Sequence, residues 1–300
     1  MSTSLSLFQN TAKYSGHIGA VYELCRLDDH HFLSCSGDGY IVKWKINDFD
    51  LDGKVLAHVN ARVFSICLVK DHLLVVGDMN GEMYWIDLHS HETIRRFQTH
   101  RKGIFSLIFY QGFLYSAGGD GVLTRWNVES MYPEESLQVT SSSLRKIKVL
   151  GKNQFLIAAS DGNIHLVNIA VMTTSVFISN AHDPSVFCLA ISADSIYSGG
   201  RDAHIRKFSL SGELIQEIPA HWFTVNELIY VDSQEPLLIS ASRDKKIRVW
   251  NADNLELIQS IDVQLGGHIN SVNDVLYIPK EKVLLTASDD RTISRFQIVP

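Results

Sequence analysis

Residues 238–251 read Leu-Ile-Ser-Ala-Ser-Arg-Asp-Lys-Lys-Ile-Arg-Val-Trp-Asn, and the pair Ala220-His221 stands upstream of them. Two apolar runs, Leu238-Ile239 and Ile247–Trp250, flank a short polar segment that contains Asp244. Apolar runs on either side of a tight polar turn predict a β-hairpin. His221, Asp244 and Trp250 are the three landmarks of this stretch, and their spacing recurs through the chain.

The same landmarks occur six times: a histidine, a turn residue 20 to 23 positions later, and a bulky apolar residue six positions after the turn. The histidines are His17, His58, His100, His182, His221 and His268. The turn residues are Asp38, Asn80, Asp120, Asp202, Asp244 and Asp290. The bulky residues are Trp44, Ile86, Trp126, Phe208, Trp250 and Phe296. A further copy, built on Asp161 and Val167, lacks the histidine, so seven units of about 40 residues fill the chain.

Each unit consists of short alternating apolar runs joined by tight turns, with no sustained helical periodicity. The turns include Asp38-Gly39, Asn80-Gly81, Asp120-Gly121 and Asp161-Gly162. Asp-Gly and Asn-Gly between apolar runs are strong hairpin signals. Strands at regular spacing within a repeat of about 40 residues predict an all-β fold, a β-propeller with four-stranded antiparallel blades.

The units resemble WD repeats over essentially the whole chain, although the Trp-Asp dipeptide itself is absent, as in Trp44-Lys45 and Trp250-Asn251. The resemblance implies a single seven-bladed propeller over residues 1–300. Its blades are expected to start near residues 16, 57, 99, 141, 181, 220 and 267. It also implies that residues 5–14 supply the outer strand of the last blade and so close the ring.

The resemblance further assigns the repeated histidines to a structural hydrogen-bond network with a Ser or Thr, the turn Asp and the Trp. The complete sets are His17, Ser34, Asp38 and Trp44; His100, Ser116, Asp120 and Trp126; and His221, Ser240, Asp244 and Trp250. Units five and seven keep the histidine and the Asp but carry Phe208 and Phe296, which lack the indole donor. One such set in each blade favours a structural role over a catalytic one.

In WD propellers, the residue five positions after the histidine faces the central channel on the top surface, where peptide ligands bind. Counted in this way, with one extra residue in unit two, the ring comprises Tyr22, Phe64, Phe105, Arg145, Phe187, Asn226 and Asn273. Neighbouring positions add Arg62, Arg201 and Arg243. Aromatic residues and arginine are enriched at binding hot spots, which favours a binding surface over aromatics that merely plug the channel.

The four arginines favour an acidic or phosphorylated peptide over a methylated cation as the ligand. Trp222, together with Phe223 directly after His221, is a second candidate for partner contact. The alternative is that both side chains pack against a neighbouring loop.

Composition limits the class of protein. A net charge of −6 and a pI of about 6.1 do not favour nucleic-acid binding. No apolar run is long enough for a membrane helix, and residues 1–14 do not resemble a secretory signal. The four cysteines, Cys25, Cys35, Cys67 and Cys188, form no Cys-x-x-Cys pair and fit a reducing, cytoplasmic compartment.

No catalytic or metal-binding motif is found, and no cofactor is predicted. The pair His89 and His91 has a zinc-like spacing but no third ligand in the sequence. The chain is therefore expected to be a non-catalytic scaffold for protein or peptide partners, a monomeric propeller within a larger complex. The alternatives are an enzyme or small-molecule binder that uses the channel, for which the ring offers Arg145 but no acid–base pair, and a nucleic-acid reader.

Overall fold

The computed structural model describes residues 7–47, 52–70 and 72–299, and these form seven four-stranded antiparallel sheets, the blades of a propeller. The first strand of the chain is β1 (Phe8–Ser15). Blade 1 contains β2 (Val21–Arg26), β3 (His31–Ser36), β4 (Tyr40–Lys45) and β5 (Lys54–His58). Blade 2 contains β6 (Val63–Lys70), β7 (Leu73–Asp78), β8 (Glu82–Asp87) and β9 (Glu92–Gln98). Blade 3 contains β10 (Ile104–Tyr110), β11 (Phe113–Gly118), β12 (Val122–Asn127) and β13 (Tyr132–Gln138).

The remaining blades repeat this order. Blade 4 contains β14 (Leu144–Gly151), β15 (Gln154–Ala159), β16 (Ile164–Asn168) and β17 (Thr173–Ile178). Blade 5 contains β18 (Val186–Ile191), β19 (Ser195–Gly200), β20 (His204–Ser209) and β21 (Leu214–Pro219). Blade 6 contains β22 (Val225–Val231), β23 (Leu237–Ser242), β24 (Ile247–Asn251) and β25 (Leu257–Ile261). Blade 7 contains β26 (Val272–Ile278), β27 (Val283–Ser288), β28 (Thr292–Ile298) and, outermost, β1.

The ring is closed by the two ends of the described chain, as the sequence predicts. Strand β1 pairs antiparallel with β28, with Phe8 opposite Ile298 and Ser15 opposite Thr292. The expected closing segment, residues 5–14, is thus realised in β1, while residues 5 and 6 lie outside the described part of the chain. Pairing β1 with β28 gives the last blade its fourth strand and covers the edge that β28 would otherwise expose.

The hydrophobic core is divided into seven clusters, and each lies between two adjacent blades. The second strand of a blade is buried on both faces, and β7, β23 and β27 are buried along their whole length. Outer strands such as β13 are largely exposed. Because the second strand is buried on both faces, its apolar residues run continuously instead of alternating with polar ones.

The closing strand also contacts both neighbouring blades. The backbone N–H of Phe8 donates to Oε1 of Gln259 in blade 6 at 2.8 Å, and Nε2 of Gln259 donates to the carbonyl of Phe8 at 2.9 Å. On the other side, the Tyr14 hydroxyl donates to the carbonyl of Lys45 in blade 1 at 2.9 Å. Burial raises the pKa of Tyr14 to about 12, so the hydroxyl keeps its proton and remains a donor. Strand β1 therefore connects blades 6, 7 and 1.

The described part of the chain contains one short 3-10 turn, Val263–Leu265, and no helix that is long and apolar enough to span a membrane.

The closure can be tested by truncating a buried side chain of β1. We expect Phe8→Ala to lower the free energy of unfolding by about 3–5 kcal/mol, because it opens a cavity in the core between blades 6 and 7. Urea denaturation measures the loss. The control is Ile94→Ala on the outer strand β9, where the side chain is about half exposed and the loss should stay within about 0.5 kcal/mol. Equal losses in the two variants would contradict the closing role of β1.

Candidate functional site

The repeated histidine lies between the turn Asp and the Ser of its own blade. In blade 6, His221 Nδ1 lies 3.0 Å from Asp244 Oδ2, and Nε2 lies 2.7 Å from Ser240 Oγ. Trp250 Nε1 donates to the same Ser240 Oγ at 2.9 Å. The corresponding bonds are present in blade 1 and blade 3, in the sets His17, Ser34, Asp38, Trp44 and His100, Ser116, Asp120, Trp126.

The direction of these bonds follows from the acceptor. A carboxylate only accepts, so Nδ1–H of His221 must donate to Asp244. Burial lowers the pKa of His221, more than the nearby Asp244 raises it, and the neutral ring then accepts the Ser240 hydroxyl proton at Nε2. Burial alone would raise the pKa of Asp244, but the hydrogen bonds from His221 and from backbone N–H groups outweigh it and hold the pKa at about 2. The network is a chain of satisfied polar groups, which is what a buried position requires.

Blades 5 and 7 keep the network without the indole. His182 bonds Asp202 at 2.8 Å and Ser198 at 2.7 Å, and Arg206 Nη1 adds a bond to Asp202 at 2.7 Å. In blade 7, His268 bonds Asp290 and Thr286, both at 2.9 Å.

Blade 4 has its own histidine, which the sequence analysis missed. His165 Nε2 lies 2.9 Å from Asp161 Oδ2, and the Thr140 hydroxyl donates to the same oxygen at 2.8 Å. Thr140 precedes Asp161 by 21 residues, the spacing of His17 and Asp38, and so takes the place of the histidine. The fixed spacing to the turn Asp was the signal that could have identified Thr140.

Blade 2 departs from the expected pattern, and His58 and Asn80 were wrongly placed in it. His58 is exposed, and its ring lies 4.4 Å from that of Tyr40. The buried carboxylate of this blade is Asp78, which accepts the backbone N–H groups of Asn80 and Glu82, both at 2.8 Å. Val76 replaces the Ser in this blade, so a histidine would find no second partner there.

At the channel mouth, the seven ring residues share one backbone feature. In each blade the first strand has a register shift at the ring residue, so that Val21 and Glu23 pair with β3 while Tyr22 does not. The same shift skips Phe64, Phe105, Arg145, Phe187, Asn226 and Asn273. A bulge turns a side chain away from the regular alternation of a strand, and here all seven side chains line one cavity of about 270 Å³.

The ring has an aromatic side and an amide side. Tyr22 meets Phe64 edge-on at 5.0 Å, and Phe64 stacks on Phe105 at 5.5 Å. On the opposite side, Asn226 Nδ2 donates to the carbonyl of Val272 at 2.8 Å. Asn273 Nδ2 donates to the carbonyl of Val21 at 2.9 Å and to Asp289 Oδ1 at 2.8 Å. These side chains contact residues of neighbouring blades, so the mouth is preformed.

The guanidinium of Arg145 lies between the aromatic side chains of its two neighbours at the channel mouth, Phe105 and Phe187. It lies 4.6 Å from the centre of Phe105 and 4.8 Å from that of Phe187, and Nε donates to Ser160 Oγ at 2.8 Å. Burial and the positive charge of Arg201 lower the pKa of Arg145. Two rings and a hydroxyl hold the guanidinium in place, and no ion pair with it is found among the described residues.

Arg62, Arg201 and Arg243 are exposed, and they do not line the cavity itself. The backbone N–H of Arg201 donates to the carbonyl of Ser185, and that of Arg243 to the carbonyl of Thr224, which places both residues beside the first strand of their own blade. Trp222 does not pack against a neighbouring loop, because 81% of its surface is exposed. The structure therefore shows where these predicted contact residues lie, and their role in binding stays a prediction.

Directly below the ring lies a cluster of ionisable side chains, which the sequence analysis missed when it found no acid–base pair near the channel. Lys146 Nζ lies 2.5 Å from Glu227 Oε2 and 3.8 Å from Glu23 Oε1, and Asp274 lines the same cavity. Burial raises the pKa of Glu23 and of Asp274, although Lys146 opposes the shift. Each of these residues directly follows a ring residue in sequence, and that position was the available signal.

The cluster joins blades. Glu23 Oε2 accepts the backbone N–H of Ile66 in blade 2 at 2.7 Å, and Asp274 Oδ2 accepts that of Leu24 in blade 1 at 2.7 Å. In blade 3, the residue directly after the ring residue is Ser106, and its Oγ accepts the backbone N–H of Ile147 in blade 4 at 3.2 Å. The carboxylates are thus engaged with backbone donors of adjacent blades, an arrangement that suits a structural role.

The comparisons with known proteins agree with this architecture. The family model for the WD domain, G-beta repeat, matches residues 8–45, 212–251 and 259–296. The crystal structure of the WD40 β-propeller domain of Doa1 superposes with a TM-score of 0.85 over 97% of each chain, at 22% identity. Three stretches of the chain thus match WD repeats, and the fold is that of a WD40 β-propeller.

Two curated relatives match part of this propeller. The kinesin-like protein KIF21B of Mus musculus is 39% identical over 121 residues, which are 40% of this chain and 7% of that protein. The ribosome biogenesis protein YTM1 of Kluyveromyces lactis is 30% identical over 135 residues, 42% of this chain and 29% of that protein. The matches thus span a small part of the length of these relatives.

The structural network can be tested with Asp244→Ala. We expect the variant to lose at least about 1–3 kcal/mol of stability at pH 7, because His221 and a backbone N–H lose their acceptor. Since the pKa of Asp244 is lowered to about 2 in the folded state, its contribution is complete above the unfolded value of about 3.9 and falls as the pH drops through the folded value. Denaturation at pH 7 and pH 3 should show a smaller loss of stability at pH 3.

Asp232→Ala, at an exposed position of the same blade, is the control. A loss in Asp244→Ala that does not change between these pH values would count against the network.

The channel cluster can be tested with Lys146→Met. Without the ammonium group the buried carboxylates lose the cation that lies closest to them, and Lys148 is the remaining cation near Glu227 and Asp274, so we expect a loss of about 3–5 kcal/mol at pH 7. The pKa values of Glu23 and Asp274 are already raised, and their neutral forms are favoured as the pH falls. The loss should therefore be smaller at pH 5 than at pH 7, as measured by urea denaturation. Lys152→Met, at an exposed lysine, should cost little at either pH. An equal loss from Lys146→Met at both pH values would refute this account.

Proposed function

We propose that this propeller is a non-catalytic scaffold that binds an acidic or phosphorylated segment of a protein partner at the channel mouth. The observation that carries the proposal is Arg145, whose guanidinium is held between Phe105 and Phe187 without an ion-pair partner among the described residues. A desolvated, fixed guanidinium at the rim of a cavity is suited to a carboxylate or phosphate. Exposed Arg62, Arg201 and Arg243 around the rim add the same sign of charge.

The engagement of the ionisable cluster favours a scaffold over an enzyme or small-molecule binder. Glu23 and Asp274 hold backbone N–H groups of neighbouring blades, and Glu227 holds Lys146. A general acid or base must be free to exchange a proton with a substrate, and these groups would have to give up bonds between blades to do so. The aromatic side of the ring lies between this cluster and solvent.

Protein partners also fit the family and the matched proteins. WD-repeat propellers share a fold and differ in the residues of their exposed faces, so a function must be argued from those faces. The four thiols form no disulfide, and burial raises the pKa of Cys25 and of Cys67 to about 12, which disfavours the thiolate form. Free thiols fit a reducing compartment, so our proposal places the propeller in the cytoplasm. It includes a monomeric propeller within a larger protein complex, and the net charge of −6 disfavours nucleic acid as a partner. No membrane partner is part of the proposal.

The test is a peptide array that contains acidic, phosphorylated and basic sequences, probed with the wild type and with Arg145→Gln. We expect acidic or phosphorylated peptides to bind, with an affinity that falls as salt is added. Arg145→Gln should weaken binding at least tenfold, about 1.4 kcal/mol, because the acceptor of the ligand loses its charged partner. Arg26→Gln is the control, since Arg26 lies at the other end of β2 from Tyr22. A preference for basic peptides, or an affinity that does not change with salt concentration, would refute the proposal.

A further inference from the structure

A set of exposed apolar side chains occupies equivalent positions in three neighbouring blades. Ile18, Trp222 and Ile269 each follow the network histidine of their blade directly. Their backbone N–H groups donate to the turn carboxylates of Asp38, Asp244 and Asp290 at 2.9, 3.1 and 3.1 Å. The hydrogen bond holds each backbone in the same way, while 73%, 81% and 60% of the residues' surfaces are exposed.

The three blades are consecutive in the ring, because blade 6 packs on blade 7 and blade 7 on blade 1. In blades 3 and 5 the equivalent backbone bonds are made by Arg101 and Asp183, which are charged. The position therefore accepts a polar residue without loss of the backbone bond. The fold thus does not require the apolar side chains that blades 6, 7 and 1 carry at this position.

Further exposed apolar residues lie on the same connections. Phe223 follows Trp222, and Val263 and Leu265 belong to the 3-10 turn that leads from blade 6 to blade 7. We name the whole set the apolar crescent: Ile18, Trp222, Phe223, Val263, Leu265 and Ile269. A concentration of exposed apolar side chains on neighbouring connections is typical of an interaction site.

Most of the exposed charges beside the crescent are basic, although Asp289, which precedes Asp290, is acidic. Lys245 and Arg291 directly follow the turn residues Asp244 and Asp290, and Arg243 precedes Asp244. All three are exposed, and no ion pair involves them within the described residues. In a chain with a net charge of −6, this local excess of positive charge selects for an acidic partner.

We propose that the apolar crescent is a second docking surface, separate from the channel mouth, for a protein segment in which large apolar side chains are flanked by Asp or Glu. Trp222 and Phe223 supply the aromatic anchor, and Ile18 and Ile269 extend the apolar contact to the adjacent blades. Lys245 and Arg291 pair with the flanking carboxylates. Four exposed cations lie beside the surface once Lys13, which donates to the carbonyl of Gly267, is counted, and the exposed carboxylate of Asp289 lies beside them. A net excess of three positive charges is below the clusters of about four to eight that recruit acidic lipids, which favours a protein partner over an anionic bilayer.

The experiment selects random displayed peptides against the wild-type propeller and measures the affinity of the enriched peptides for purified variants. We expect enriched sequences that combine acidic and large apolar residues. Trp222→Ser with Ile269→Ser should weaken their binding at least about tenfold. Lys245→Gln with Arg291→Gln should reduce the salt dependence of binding. The melting temperatures should stay close to the wild-type value, since exposed side chains are changed and the backbone bonds remain.

Two control variants separate this surface from other apolar positions and from the mouth. Ile94→Ser with Leu214→Ser changes exposed apolar residues on the outer strands β9 and β21 and should leave affinity unchanged. Arg145→Gln should also leave the binding of these peptides unchanged, so failure here and failure at the channel mouth are distinguishable.

Three results would overturn the proposal. The variant with Trp222→Ser and Ile269→Ser is called the crescent variant. The first result is that every enriched peptide binds the crescent variant as tightly as it binds the wild type. The second is binding of the wild type, but not the crescent variant, to vesicles of equimolar phosphatidylserine and phosphatidylcholine, with no peptide enriched. The third is self-association of the wild type in analytical ultracentrifugation that the crescent variant abolishes, which would make a second copy of the chain the occupant.

Discussion

Each blade of this protein is a small sheet with two apolar faces, and neither face can be buried within the blade itself. The apolar side chains are covered only when a neighbouring blade packs on each side, which is why the core consists of seven clusters between blades. The arrangement has no free end only if the ring closes. Strand β1 completes blade 7 and bonds to blades 6 and 1, so the stability of every blade depends on this contact.

Two kinds of polar interaction keep the ring rigid. Within five of the blades, the histidine connects the turn Asp to a Ser or Thr on the second strand. Between blades, the residue after the bulge accepts a backbone N–H of the next blade in three cases: Glu23 from Ile66, Ser106 from Ile147 and Asp274 from Leu24. The first interaction orients the loops on the top face, and the second sets the distance between the inner strands. Together they hold the seven bulged side chains around one cavity.

This rigidity makes the top face available for recognition. Because the fold needs only the backbone bond at the position after the histidine, the side chain there is free to vary, and it is Arg101 in blade 3 but Trp222 in blade 6. The same holds for the bulged position, which carries Phe105 in one blade and Asn273 in another. The positions that repeat stabilise the ring, and the positions that differ distinguish one region of its surface from another.

The spacing of His221, Asp244 and Trp250, and its repetition, predicted seven units of one fold, and the resemblance to WD repeats implied the closing strand and the ring residues. The spacing failed where a blade satisfies its carboxylate differently. Blade 4 uses His165, on the third strand, and blade 2 replaces the pair of His58 and Asn80 with a buried Asp78. Different side chains satisfy one carboxylate equally well, so spacing alone does not identify the partner.

The sequence by itself determined the fold, because repeated local hydrogen bonds and apolar runs specify the same unit seven times. Only the tertiary structure decided which residues come together across blades. It brought Lys146 from blade 4 to Glu227 from blade 6 and to Glu23 from blade 1. It also placed Arg145 of blade 4 between the aromatic rings of blade 3 and blade 5. These contacts depend on the closure of the ring, which brings residues far apart in sequence to a common axis.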